Sequence, residues 1–332
     1  MSKQNQAVLP PLEGAGYHRD TFFMMLPLLA MAVYLYGWRP ALLSLVAVVT
    51  ANLCDRFVAL LRRRPYDRRD MSSEGFAFVL VMLLPASVDY YIVIVAVIAA
   101  VLMGKEAFGG YGCYPFHPTA VGFVVAAISW PEQVFHYPQP FASLPLSGPV
   151  EVSLVNSMTS TMKSGGLPTV NTLDLLLGNY PGAMGATAAL IILSCALYLI
   201  VQRRISLRVP LYFLAACSLV VFFFPRLGGV PLSWPWEYFM DRLVALKFEL
   251  LSGGTLFAAV FLVAEPVTMP KNKWSQMIYA TLAGIMSVMF RYYGSFETGV
   301  CFALLMLNAL SGWLDRASLG LMSKKEVRRH ES

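Results

Sequence analysis

"SEGFAFVLVML" (residues 73–83) returns 179 residues later as "SGGTLFAAVFL" (252–262), sharing Ser, Gly, Phe, Val and Leu. "TAVGF" (119–123) returns as "TGVCF" (298–302) at the same offset. One offset serving two pairs points to an internal repeat. Around these segments lie ten apolar stretches: roughly 21–37, 41–61, 75–87, 89–104, 118–130, 183–201, 207–224, 254–269, 277–290 and 296–313. A bilayer core takes about 20 apolar residues per helix, fewer where a helix is broken. The reading is therefore an all-α integral membrane protein with ten transmembrane helices, some short or broken at Pro85 and Pro266. Five spans per half make the two repeats inverted, an arrangement that puts a functional site at the repeat interface.

Composition agrees: 57% of the 332 residues are hydrophobic, 13% are charged, and mean hydropathy is +0.61. Soluble domains carry about 25% charged residues. The net charge of +6 is an orientation signal. With an even number of spans both termini share a side, and that side holds 19 of the 25 Lys and Arg residues. The other side holds Arg39, Lys163, Arg226, Arg242, Lys247 and Arg291. The positive-inside rule makes both termini cytoplasmic, and no nucleic-acid partner is expected. No cleavable signal peptide is evident. The division expected is a cytoplasmic segment 1–20, a first five-helix repeat 21–130, an extracytoplasmic linker loop 131–182, a second five-helix repeat 183–315 and a basic cytoplasmic tail 316–332. Five scattered cysteines read as small buried hydrophobes and suggest no metal site.

"GKEAFGGYGCYPFHPTAVG" (104–122) is dense in glycine, proline and aromatics. Its glycines let backbone approach a ligand, and Phe108, Tyr111, Tyr114 and Phe116 suit a flat ring; a tight re-entrant turn is the plainer alternative. Lys105 reads either as a partner for an anion or as a positive-inside anchor, and His117 as structural or catalytic. Glu265 in "LVAEPVTMP" and Glu297 in "YYGSFETGV" edge spans of the second half. A carboxylate near lipid is a functional candidate by default, for a cation or proton path, unless it is a helix-end group in water. No soluble catalytic motif appears, so no catalytic site of the chain's own is expected.

Four strings carry a resemblance. "GKEAFGGYGCYPFHPTAVG" resembles "GKxxFGGxGxNPFNPAxVG" of the RnfD/NqrB family of membrane redox proteins. "TLDLLLGNYPGAMGATAALIIL" (172–193), "AEPVTMP" and "GSFETGVCFALLMLNALSGWLD" are similar to its later segments. The matches run in order from about residue 20 to 315, and the compact length resembles the Rnf branch more closely than the Nqr branch. The resemblance implies ten spans in two inverted repeats within the inner membrane of a bacterium. It implies a membrane subunit of a complex that couples electron transfer between ferredoxin and NAD to sodium or proton translocation. It also implies a flavin mononucleotide (FMN) esterified to a threonine on the extracytoplasmic face by a flavin transferase, a noncovalent riboflavin, and membrane and peripheral partner subunits. Lys105, Phe108, Gly109, Gly110 and Phe116, which match the family string, and His117, which stands where the family has Asn, become cofactor-binding candidates. Laid ungapped on "VNSMTSTM" (155–162), the family's acceptor pattern puts Asn156 for Asp, Ser160 for Gly and Met162 at the acceptor. A one-residue shift makes Thr161 the acceptor, with Thr159 as the alternative. Two other functions fit the same fold: a flavin-free transporter or channel, and a scaffold for redox partners.

Overall fold

The computed structural model describes residues 11–63, 70–148, 150, 152–166, 168–226, 236–252, 254–294 and 298–330, with side chains described within 16–318. It is mostly helical. The first half runs α1 (Pro11–Tyr36), α2 (Arg39–Leu61), α3 (Ser72–Met82), α4 (Tyr90–Ile98) and α5 (Pro118–Ser129). Beyond Ile98, α4 continues through a π turn, Ala99–Lys105, and a 3₁₀ turn, Glu106–Phe108. The segment between the halves contains α6 (Pro131–Val134), β1 (His136–Pro138), β2 (Leu154–Asn156), α7 (Met158–Lys163) and α8 (Thr172–Leu177). The second half runs α9 (Ala189–Val201), α10 (Arg208–Phe223), α11 (Phe239–Leu251), α12 (Thr255–Phe261), α13 (Lys273–Tyr293) and α14 (Gly299–His330).

Each of the ten apolar stretches contains a helix, but not every one is helical throughout. Residues 183–188 and 262–269 are irregular and mostly buried. Backbone of this kind is tolerated at membrane depth only where protein satisfies its polar groups. Here Met184 N–H donates to Leu84 C=O (3.0 Å) and Gly185 N–H to Met82 C=O (2.8 Å), closing the end of α3. Helix α11 lies outside the ten stretches because Asp241, Arg242, Lys247 and Glu249 break its apolar run.

Among the described residues, three helical segments are long and apolar enough to cross a bilayer: Arg39–Leu61, Tyr90–Phe108 and Gly299–Ser318. Helices α11 and α12, bent by 49° at their junction, pass together as a fourth. Exposed Leu45, Leu53, Phe57, Leu193, Leu197 and Leu219 on α2, α9 and α10 form an apolar exterior of the kind lipid covers. The interior holds α3, which is buried throughout together with residues 83–88 that follow it, and α12.

The packing repeats along with the sequence. In the first half α1 packs on α3, α2 on α3 and α4, and α4 on α5; in the second α9 packs on α12, α10 on α12 and α13, and α13 on α14. The halves meet where α5 touches α14 and α1 touches α9. Small residues permit the closest approaches, as is usual between membrane helices. A Cβ on Gly122 of α5 would stand 2.4 Å from Ala96 C=O, and one on Gly284 of α13 2.6 Å from Phe213 C=O.

Candidate functional site

The repeated stretch supplies the hub. Phe76, in the first turns of α3, is buried, with His18, Tyr114 and His117 arranged edge-on around it at 4.7, 5.5 and 5.5 Å between ring centroids. His18 comes from α1, while Tyr114 and His117 come from the glycine-rich loop before α5. That loop turns on Gly109 (φ +118°) and Gly110 (φ +94°), a left-handed backbone that glycine adopts without strain. The second half contributes Glu265, four residues beyond the end of α12 and fully buried. Its Oε2 accepts from the backbone N–H and the hydroxyl of Thr268, both at 2.7 Å. Its Oε1 accepts from the Tyr114 hydroxyl at 3.0 Å and lies 3.9 Å from His18 Nε2. A polar site thus sits where the two halves meet. Glu297, the other carboxylate candidate, lies outside the described residues.

Lys105 does not stand free to meet an anion. Its ammonium is buried at the end of the π turn, 2.9 Å from Asp70, 2.8 Å from Ser73 Oγ, 3.5 Å from Asp55 and 3.7 Å from Glu106. Arg62 adds a second cation to Glu106 at 3.4 Å. Burial opposes ionisation of Asp70, but Lys105 and the hydrogen bonds from Ser72 outweigh it and hold that carboxyl below its ordinary value. Phe108 and Phe116 lie 5.8 Å apart at a tilt of 58°, with Phe108 45% exposed, so the pair forms an open surface edge and not a closed slot. His117 is buried against Phe76 and the backbone of Phe261.

The hydroxyl cluster forms a short helix, α7. Ser157 caps it, accepting from Ser160 N–H at 3.2 Å, and Met158 and Met162 anchor it in the core. The Thr159 hydroxyl is buried and paired with Ser157 Oγ (2.8 Å); that of Thr161 donates to Ser157 C=O (3.1 Å). Beside α7 lies a cavity of about 160 Å³ lined by Phe135, His136, Asn156, Thr159, Ser160, Lys163 and Arg291. Arg291 is itself fixed: it ion-pairs with buried Glu249 of α11 and donates to Thr255 of α12 at 2.7 Å.

Sequence reading did not single out His18, Asp55, Asp70, Glu249 or Arg291. Asp55 carried a signal, being an acid inside an apolar span. His18 did not, because it falls in a polar N-terminal segment.

The sequence model of the NQR2, RnfD, RnfE family matches residues 14–319. The chain belongs to that family. Among similar members is the D-type subunit of the ion-translocating oxidoreductase complex of Alcanivorax borkumensis, 27% identical over 317 residues covering 90% of each chain. Another is the D-type subunit of the proton-translocating ferredoxin:NAD(+) oxidoreductase complex of Clostridium ljungdahlii, 23% identical over 294 residues covering 87% of this chain and 86% of the relative. The family match takes in His18, the glycine-rich loop, α7 and Glu265, so every part of the site falls within the region that this NQR2, RnfD, RnfE family member shares with its relatives. The chain is a membrane subunit of the ion-translocating oxidoreductase type.

Proposed function

We propose that this chain is the D-type membrane subunit of an Rnf-type complex in the inner membrane of a bacterium. In this reading it passes electrons through a flavin in step with ion movement, using ten spans in two inverted repeats with both termini cytoplasmic. What supports the reading is the end-to-end family match, together with a packing pattern that repeats between the halves. Glu265 is then the ion-path residue, held between the two halves.

The residues around α7 suit the phosphate of a flavin mononucleotide: Lys163, Arg291 and His136 bring basic groups to one cavity, and Asn156 and Ser160 bring hydrogen-bonding side chains. They do not suit esterification at Thr159 or Thr161 as α7 stands, because both hydroxyls are engaged within the helix and Met162 is in the core. Bound there, FMN would supply one-electron chemistry; the protein's part is to hold the phosphate and shield the ring. The glycine-rich loop keeps its proposed place as a noncovalent flavin contact through Phe108 and Phe116, with Lys105 serving the carboxylates instead.

The test is to purify the tagged chain from its own host membranes. Redox subunits and flavin in the eluate are expected, with flavin released by acid. A chain that elutes alone and flavin-free, and that passes solute in liposomes, would be a transporter.

A further inference from the structure

Glu265 is surrounded by hydrogen-bond donors. Thr268 contributes an N–H and an O–H, and Tyr114 an O–H. Among the described residues, no lysine or arginine pairs with it. A sodium ion bound here would have to turn the Thr268 and Tyr114 hydroxyls so that their lone pairs face it, and would still meet the fixed Thr268 N–H beside Oε2. A proton needs one free lone pair and a base to bring it. That base is present: His18 Nε2 is 3.3 Å from the Tyr114 hydroxyl and 3.9 Å from Glu265 Oε1. The imidazole is held edge-on by Tyr17, Phe76 and Tyr111, at 5.1, 4.7 and 5.7 Å. Tyr111 is only half-buried, and Gly112 and Cys113 beside it are exposed, so the route from water to His18 is one side chain long.

We propose that Glu265 is a proton-binding site loaded through His18 and Tyr114, and that the ion it handles is a proton and not sodium. Its role in transport rests on the function proposed above; the site does not. In the loading step a hydronium ion beside Tyr111 protonates the neutral His18 ring at Nδ1 as its Nε2 proton passes to the Tyr114 oxygen and the Tyr114 hydroxyl proton passes to Glu265 Oε1. Water is left behind, Tyr114 ends unchanged, the carboxylate becomes a carboxylic acid, and His18 ends as a neutral ring with its proton on the other nitrogen. The groups facing Glu265 are Tyr17 of α1, Tyr111 and Tyr114 of the loop, and Tyr279 of α13, whose phenols stay neutral near pH 7. Burial is the largest influence on His18 and holds its imidazole well below the ordinary value, so the resting ring is neutral; Asp70, Lys105 and His117 also act on it, the first two pairing with each other and His117 lying against Phe76. His18 and Glu265 are therefore the pair between which a proton is exchanged.

Infrared difference spectra of the full chain in lipid nanodiscs, taken across a step in pH, test this. The carbonyl stretch of a protonated carboxyl should appear on acidification, be absent in Glu265→Gln, and have the same amplitude in sodium chloride as in choline chloride. His18→Ala should keep the band but slow its arrival about tenfold or more, the scale of a lost proton relay, and added imidazole should restore the rate. A band that shrinks at fixed pH as sodium replaces choline would overturn the proposal, as would one that survives Glu265→Gln. If that variant does not fold, Glu265→Asp assigns the band in its place: the band should change position, and one left unchanged would overturn the proposal. The band is read without flavin or partner subunits, so failure here leaves the redox-subunit reading standing, and failure of that reading leaves the band.

Discussion

Helices α3 and α12 occupy the same slot in the two halves, yet they carry their acids at opposite ends. Glu74 lies in the first turn of α3, where unpaired backbone N–H groups favour a negative charge, and Asn52 donates to it at 2.9 Å. Glu265 lies four residues beyond the end of α12, where no helix N–H groups favour its charge, and it is held by Thr268 and Tyr114 instead. The first half has Ala86 at the position matching Glu265. Two copies of one scaffold therefore differ in what they can hold: one suits a fixed anion, the other a carboxyl that exchanges its charge. The repeat provides the frame, and the departure from the repeat provides the chemistry.

Breaking the anchor of α12 has the largest expected effect. Arg291→Met leaves buried Glu249 unpaired and frees Thr255 at the helix start; a loss of about 3–5 kcal/mol is expected, read as a fall in melting temperature in detergent. The counterpart in the first half is Gly122→Val on α5. Its new Cβ would clash with the α4 backbone, costing about 1–3 kcal/mol by the same assay. Tyr114→Phe removes one donor from Glu265 and should cost about 1–2 kcal/mol, while Glu74→Gln, losing only a helix-end charge, should cost about 0.3–1 kcal/mol. Equal effects of these two substitutions would erase the proposed difference between the ends. The smallest effect depends on pH. The carboxyl of Asp70 is held below its unfolded value, so its contribution is present above that value and fades as pH falls through the lower, folded one. Asp70→Asn should lower the melting temperature at pH 7 and bring it closer to that of the natural chain in acid.

Much of the frame is legible in the sequence because it depends on local pattern. The offset repeat finds α3 and α12, and the apolar runs find the helices that face lipid. What stays hidden depends on distance or on mixed character. Lys105 looks like a free cation until Asp70 and Asp55, 35 and 50 residues away, meet it. The four charges of α11 break its apolar run, and it reads as part of a span only together with α12. The α7 helix was readable in principle: Ser157 is a good cap, and Met158 and Met162 are one turn apart. The hydroxyls between them suggest a loop instead. Glu265 was legible as an acid at a span edge; its partner His18 lies 247 residues earlier, in a segment with no apolar pattern.

The π turn at Ala99–Lys105 bears on how this family can change length. A π turn accommodates one residue more than the α-helix around it. Deleting a single residue there would let the helix regularise without breaking it. Lys105 would then keep the face it turns to Asp55 and Asp70. The same deletion in the regular part of α4 would rotate everything after it by about 100° and carry Lys105 away from both acids, so the π turn is the one stretch of this helix whose length can change with the charge cluster intact.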